Sequence, residues 1–167
     1  VTQVSCDDPE RMDALFQGVV LACDKGMLTL RTPESAEALC YLNVGIPASR
    51  PVYITGTYAA VQVSGVEAPV TVATSHGRIT LFDTTGPVRA SAQQGGSIVF
   101  AGRRGRARLD ADGEIDIKIT ATKYDGLIDA TAGGPVRVVV TAGFTAGFEV
   151  DVANSARFVY RGADTQQ

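Results

Sequence analysis

The chain has 167 residues, 45% hydrophobic and 20% charged, which is the composition of one folded globular domain rather than of a disordered segment. Its net charge of −3 gives no overall basic field to attract nucleic acid or an anionic membrane surface. The sequence contains no apolar run of about 18 residues, so no transmembrane helix is predicted.

The first 36 residues have the least regular pattern of the chain. The stretch Asp8–Gly18 begins with Asp-Pro, carries apolar residues at helical spacing and ends in glycine, which is compatible with a short N-terminal helix. Gly26 precedes Met27–Arg31, whose composition predicts a strand.

Three cysteines, Cys6, Cys23 and Cys40, are spaced 17 residues apart. This spacing matches neither a CxxC pair nor a zinc-binding pattern, so no metal site is predicted from them. One disulfide with one free thiol and three buried thiols both agree with the sequence.

Alternation with a period of two begins at residue 37 and continues to about residue 160. Ala38–Ile46 alternates as a strand with one buried face requires, Pro47 ends it, and Val52–Thr55 begins the next strand. We therefore treat residues 1–167 as a single domain, with an irregular part over residues 1–36 and a repeat region over residues 37–160.

Glycines recur in this region about every nine residues, and the residue two positions after each glycine is usually apolar or small. The glycines are Gly77, Gly86, Gly95 or Gly96, Gly105, Gly113, Gly126 and Gly134. Glycine permits a tight corner between short strands, and the following apolar residue is expected to point inward. Two units would make a coil of roughly eighteen residues with two sheet faces, and such coils stack in solenoids.

An antiparallel sandwich with a hairpin every nine residues would give a similar rhythm. Hairpins usually carry Asn-Gly or Asp-Gly, however, and only Asp112-Gly113 and Asp125-Gly126 do so in the glycine series. The sequence therefore predicts an all-β fold, a single β-solenoid (β-helix-like) of stacked short strands with glycine corners.

The stretch Arg104–Ile119 has the strictest alternation, because every even-numbered residue is charged and no odd-numbered residue is. The face of even-numbered residues must therefore be exposed to solvent, and the face of odd-numbered residues must be buried. As one straight strand the stretch would span roughly 53 Å, beyond the diameter of a compact domain of this length. We predict that it bends at Gly113.

Four arginines, Arg103, Arg104, Arg106 and Arg108, form the one candidate interaction patch, whose charge suits an acidic polysaccharide, a lipid phosphate or a nucleic acid. The expected partner is a protein or an acidic glycan, and no nucleic acid is expected. The opposing interpretation is that the acidic residues that follow pair with them across neighbouring coils. No catalytic, cofactor-binding or metal-binding residue is predicted.

Two other motifs were weighed as sites. Asp110–Asp116 resembles the middle of a calcium loop, but the positions of its first and last ligands would be Arg108 and Ile119, so a solvated acidic face is favoured. The single histidine, His76, lies before Gly77 with no nucleophile elbow in the sequence, which favours a corner residue over a catalytic one.

Several segments in series resemble the bacterial "putative adhesin" repeat domains, called the adhesin-like family below. The resemblance spans roughly residues 38–160 and is carried by Leu42–Pro47, Val63–Val72, Ser75–Leu81, Gly86–Ala90, Gly134–Val138 and Thr141–Phe144. It implies a β-solenoid of a periplasmic or cell-surface protein and brings no established catalytic residue.

The leading hypothesis is thus a non-enzymatic surface interaction or scaffold module without a cofactor, with a homo-oligomer as one form it could take. One alternative is a self-assembling solenoid polymer resembling bactofilins. The other is a carbohydrate-active β-helix enzyme, for which Asp83 and the Arg103–Asp116 face are the only candidate residues.

Overall fold

A computed structural model describes residues 2–6, 20–24, 27–31, 40–121, 123–144 and 158–161, with side chains over 43–121 and 123–144. The described residues form an all-β structure in which no helix occurs. The predicted helix over Asp8–Gly18 lies outside the described residues.

Fifteen strands follow one another along these segments. They are β1 (Thr2–Cys6), β2 (Val20–Asp24), β3 (Met27–Arg31), β4 (Cys40–Val44), β5 (Val52–Tyr58), β6 (Val61–Ser64), β7 (Val70–His76), β8 (Arg78–Thr84), β9 (Val88–Ala92), β10 (Ser97–Gly102), β11 (Arg104–Ala111), β12 (Ile115–Ile119), β13 (Asp125–Ala132), β14 (Val136–Val140) and β15 (Phe158–Arg161).

From β5 to β14 the strands alternate between two sheets, as a solenoid requires. A seven-stranded sheet has the order β13-β11-β9-β7-β5-β3-β2, and a six-stranded sheet has the order β15-β14-β12-β10-β8-β6. Pairing from β5 to β15 is parallel, which excludes hairpins and confirms the solenoid, of about five turns. Val70 pairs with both Val52 and Val88, eighteen residues away on either side, so the predicted coil length is confirmed there.

The core lies between the two sheets and consists of inward columns with one residue from each coil. One column of the six-stranded sheet is Val63, Leu81, Phe100, Ile117 and Val138, all buried. Because successive residues of a strand point to opposite faces, the residues directly before and after each column member on its own strand point outward. The period-two pattern of the sequence therefore places the core correctly.

The stretch Arg104–Ile119 bends where the sequence predicts. Strand β11 ends at Ala111, residues 112–114 form a turn that contains Gly113, and β12 continues from Ile115 in the other sheet. The odd-numbered residues Leu109 and Ile117 are buried, whereas Asp110 and Lys118 are exposed.

The glycines predicted as corners meet two different requirements. Gly77, between β7 and β8, has a φ angle of 118°, in the left-handed region that favours glycine, as the corner argument predicts. Gly105 and Gly126 also have positive φ angles but lie inside β11 and β13, so the corners predicted there are wrong. Gly96 and Gly113 lack a positive φ angle, but a Cβ at either would lie within 2.8 Å of a carbonyl oxygen of the preceding coil. A Cβ at Gly77 or Gly105 would also meet such an oxygen, so close stacking of the coils requires glycine at all four positions.

Strands β1 to β3 lie within the first 36 residues, which the sequence pattern marks as irregular. The predicted strand Met27–Arg31 is confirmed as β3, which pairs antiparallel with β2 and parallel with β5. Strand β4 joins neither large sheet but pairs antiparallel with β1, in a register that puts Cys6 opposite Cys40. The side chains of Cys6, Cys23 and Cys40 lie outside the described part.

Candidate functional site

The predicted arginine patch divides between an outer sheet face and a corner. Arg104, Arg106 and Arg108 are exposed and alternate with Gly105, Ala107 and Leu109 of β11, so all three point away from the core. Arg103 lies at the corner before β11, where its Nε is 3.4 Å from Asp83 Oδ1. The structure therefore brings three of the four predicted residues onto one surface.

A fourth arginine on this surface was missed by the sequence reasoning. Arg89 of β9 is exposed and lies directly beside Arg108 in the parallel register of β9 and β11. Neighbouring strands are about 4.8 Å apart. The predicted coil of eighteen residues would put Ala90 beside Arg108, whereas this coil has nineteen residues and puts Arg89 there. We call Arg89, Arg104, Arg106 and Arg108 the arginine face.

Acidic residues lie beside two of the four arginines of the arginine face, and Asp125 on β13 is the neighbour of Arg104 in register. Arg108 has Asp129 beside it on β13, with 4.0 Å between Nε and Oδ2, and both side chains are more than half exposed. Arg106 has the exposed Leu127 as its neighbour in register. Within the described residues, Arg89, Arg104 and Arg106 make no ion pair, which leaves their guanidinium groups accessible to an external acid.

Arginines on the six-stranded sheet are in a different situation. Arg137 Nη1 donates a hydrogen bond of 3.0 Å to Asp116 Oδ1, and Arg78 Nη2 lies 3.5 Å from Glu114 Oε1. Among the described residues, two of the acidic residues that follow the predicted patch therefore pair with arginines outside it, and Arg103 pairs with the earlier Asp83, so the predicted pairing is wrong. Exposed pairs of this kind contribute roughly 0–1 kcal/mol each.

Tyr124 supports the start of β11 from the following coil. Its hydroxyl donates a hydrogen bond of 2.9 Å to the carbonyl oxygen of Gly105, between Arg104 and Arg106. Burial raises the pKa of Tyr124 to about 12, because the charged phenolate would lose hydration. The phenol is therefore neutral over the physiological range and remains a donor to the strand that carries the arginine face.

The column that contains Arg89 and Arg108 extends to an exposed aromatic ring. In register, it consists of Tyr53, Thr71, Arg89, Arg108 and Asp129 on β5, β7, β9, β11 and β13. Tyr53 is 47% exposed although it is a large apolar side chain. The arginine face is thus continuous with an aromatic surface that lies 36 residues before Arg89 in the sequence.

The stretch that resembles a calcium loop does not form one. Asp110 lies on β11 of the seven-stranded sheet, whereas Asp116 lies on β12 of the other sheet, beside Arg137. Asp112, between them, accepts a hydrogen bond of 2.6 Å from the backbone N–H of Gln94. Across the residues with described side chains, no group of three or more His, Cys, Asp or Glu residues could hold a metal ion.

His76 is a corner residue, as predicted. It ends β7 before Gly77, and its ring stacks on Tyr58 of the preceding coil with 4.4 Å between ring centroids and 18° between planes. Within the described part, its buried Nδ1 has no hydrogen-bond partner, so no carboxylate there orients the ring as a catalytic base would require.

In the part of the chain that the structure describes, no helix has the length and apolar character needed to cross a membrane. Comparison of the chain with models of protein families, with curated proteins and with solved structures gives no match. Membership of the adhesin-like family therefore stays a prediction, and the argument for a function rests on the arginine face.

Proposed function

We propose that this protein is a non-enzymatic interaction module that binds an acidic partner through the arginine face. The observation that carries the proposal is that Arg89, Arg104 and Arg106 share one sheet face without an ion pair among the described residues. Guanidinium groups bind carboxylates with two parallel hydrogen bonds, which makes them suited to a partner with a row of carboxylates.

The solenoid gives this face a stable support. Beneath it lie the buried Val88, Ala90, Ala107 and Leu109. Strands β9 and β11 are paired on both sides, so their backbones are held in place. The arginines are therefore presented at fixed intervals, which reduces the cost of ordering the site on binding. This arrangement suits binding of an extended partner over a surface.

The test uses two triple variants with the same loss of charge. Arg89→Gln, Arg106→Gln and Arg108→Gln together remove three of the four arginines of the face, whereas Arg78→Gln, Arg103→Gln and Arg137→Gln remove three arginines that form ion pairs elsewhere. Affinity electrophoresis in gels containing polygalacturonate or polyglutamate measures binding to carboxylates on a sugar or a peptide chain. Circular dichroism checks that both variants fold.

We expect the face variant to bind at least one of the two polymers about tenfold or more weakly than the unaltered protein. Losing roughly 0.5–1 kcal/mol at each of three exposed contacts gives this magnitude. The control variant should bind nearly as well as the unaltered protein, and added salt should weaken binding. Equal losses in both variants, or no binding of either polymer by the unaltered protein, would overturn the proposal.

A periplasmic or cell-surface location is part of this proposal, supported by the resemblance to the adhesin-like family. Acidic polymers rich in carboxylates are common outside the cytoplasm, which agrees with the chemistry of the arginine face. Expression of the full-length gene with fractionation of the cells tests this location directly.

A self-assembling polymer, the alternative function, would have to form through the ends of the stack. Within the described residues the edge strands are β2 and β13 in the seven-stranded sheet and β6 and β15 in the six-stranded sheet. Sedimentation velocity over a concentration series distinguishes the two functions, because a polymer would grow with concentration while the interaction module would keep a constant size.

A further inference from the structure

The structure points to the kind of acidic partner, an inference that rests on the proposed function. We propose that the arginine face binds an acidic glycan that lies across the strands, with a sugar ring on Tyr53 and sugar carboxylates on Arg89 and Arg108. The observation behind it is the outward column Tyr53, Thr71, Arg89 and Arg108, which ends at Asp129.

The dimensions of this column suit an extended chain of sugars. Neighbouring strands of a sheet are about 4.8 Å apart, so the three steps from Tyr53 to Arg108 cover roughly 14 Å. The spacing of about 4.8 Å between neighbouring strands is similar to the length of one pyranose residue in an extended glycan. A uronate polymer running perpendicular to the strands therefore offers successive sugars to successive coils.

Each position of the column has a chemistry that a uronate polymer can use. The ring of Tyr53 is an amphipathic surface on which the apolar face of a pyranose can pack, and its hydroxyl can bond to sugar hydroxyls. Thr71 is small and half-buried, which leaves room between the ring and the arginines. Arg89 can hold a carboxylate in a bidentate geometry, and Arg108 can hold one while its Nε faces Asp129 at 4.0 Å.

An acidic peptide is a poorer fit for the same surface. Peptides gain affinity from sheets mainly by adding a strand at a free edge. Strands β7, β9 and β11 each have neighbours on both sides, so this part of the sheet has no free edge. A peptide lying here would make side-chain contacts only, whereas a glycan makes its normal ring and carboxylate contacts without an edge.

The test compares two tyrosines that differ in position and not in chemistry. Tyr53→Thr replaces the ring by the residue found in the next coil, Thr71, and suits a strand because threonine is β-branched. Tyr58→Thr is the matched control, since Tyr58 is 71% exposed but stacks on His76 outside the column. Tyr53→Phe keeps the ring and serves as the conservative variant.

Binding of each variant to polygalacturonate and to polyglutamate is measured by the same affinity electrophoresis. We expect Tyr53→Thr to weaken polygalacturonate binding about fivefold or more and to leave any polyglutamate binding unchanged. Tyr58→Thr should bind polygalacturonate like the unaltered protein, and Tyr53→Phe should retain most of the affinity. Thermal unfolding followed by circular dichroism verifies that all three variants fold.

The outcomes separate this inference from the proposed function. If the triple arginine variant loses binding but Tyr53→Thr has no effect, or an equal effect on both polymers, the glycan inference is wrong and the acidic-partner proposal stands. If the unaltered protein binds only polyglutamate, the partner is a protein and the inference fails. If it binds neither polymer, both proposals are overturned.

Discussion

Gly102 and Phe100 share the inward face of β10, and the ring of Phe100 occupies the space beside Gly102. A Cβ built on Gly102 would lie 2.5 Å from Cζ of Phe100 and 2.7 Å from its Cε1. Phe100 is only 1% exposed and has Leu81 and Ile117 as neighbours in its column. Because the core around the ring is closely packed, Gly102→Ala forces the ring against its neighbours.

The magnitude follows from two opposing effects. Overpacking of a core costs typically about 1–3 kcal/mol, while replacing glycine by alanine restricts the unfolded chain and stabilises by about 0.4–1 kcal/mol. We therefore expect Gly102→Ala to lower the free energy of unfolding by roughly 1–2 kcal/mol. Phe100→Leu alone should cost roughly 1–2 kcal/mol, between the typical costs of Ile→Val and Phe→Ala.

The double variant Phe100→Leu with Gly102→Ala distinguishes a clash with the Phe100 ring from a general intolerance of any side chain at position 102. A leucine at Phe100 no longer reaches the position of the new methyl group, so Gly102→Ala should then be neutral or slightly stabilising. The coupling between the two sites should be roughly 1–2 kcal/mol.

Urea unfolding, followed by far-UV circular dichroism, measures these free energies for the unaltered protein, the two single variants and the double variant. Ile98→Val combined with Gly102→Ala is the control. Ile98 lies two residues before Phe100 on the same inward face, but the three atoms nearest the new methyl group all belong to Phe100. That pair should be additive. Additivity of Phe100→Leu and Gly102→Ala as well would refute the steric explanation.

Three further predictions test the core, a buried hydroxyl and a titration. Leu109→Asp should abolish folding as judged by circular dichroism, because Leu109 is 1% exposed and a buried charge costs several kcal/mol, whereas Asp110→Ala should change stability by less than about 0.5 kcal/mol. Equal effects would contradict the inward and outward assignment. Thr84→Val should raise the free energy of unfolding by about 1 kcal/mol in urea titrations, since the buried Oγ1 of Thr84 has no hydrogen-bond partner in the described part; a loss of stability would show that the hydroxyl is satisfied. Because the pKa of Tyr124 is about 12 in the fold and 10.0 when unperturbed, the unfolded state loses its proton first and stability should fall as the pH rises above 10. At neutral pH, Tyr124→Phe should have a lower free energy of unfolding than the unaltered protein. As the pH rises above 10, the free energy of unfolding of the variant should fall less steeply, and parallel curves for the two proteins would contradict this role of Tyr124.

The alternation of Arg104–Ile119 was sufficient to predict both its faces and its bend. A strand has a side-chain period of two, so a strict alternation of charged and uncharged residues determines which side is buried without knowledge of the neighbours. The bend followed from length alone, because one straight strand would exceed the domain. Both inferences are local, and the structure confirms both at Leu109, Ile117 and Gly113.

The candidate site was only partly predictable, because its members come from different coils. Arg104, Arg106 and Arg108 are neighbours on one strand, so the sequence pattern grouped them. The same pattern also included Arg103, which turns away at a corner and pairs with Asp83. Because Arg103 and Arg104 are adjacent in sequence, the sequence pattern could not show that Arg104 belongs to the arginine face and Arg103 does not.

By itself, the sequence determined that the chain is an all-β solenoid, which residues point inward and where five of its corners lie. Gly105 and Gly126, which were also predicted as corners, lie inside β11 and β13. Only the tertiary structure decided which coil residues lie side by side. Coils differ in length, with eighteen residues from Val70 to Val88, nineteen from Val88 to Ala107 and twenty-one from Ala107 to Ile128. Backbone hydrogen bonds between parallel strands select the register, and that register brings Tyr53 and Arg89 into the column of Arg108.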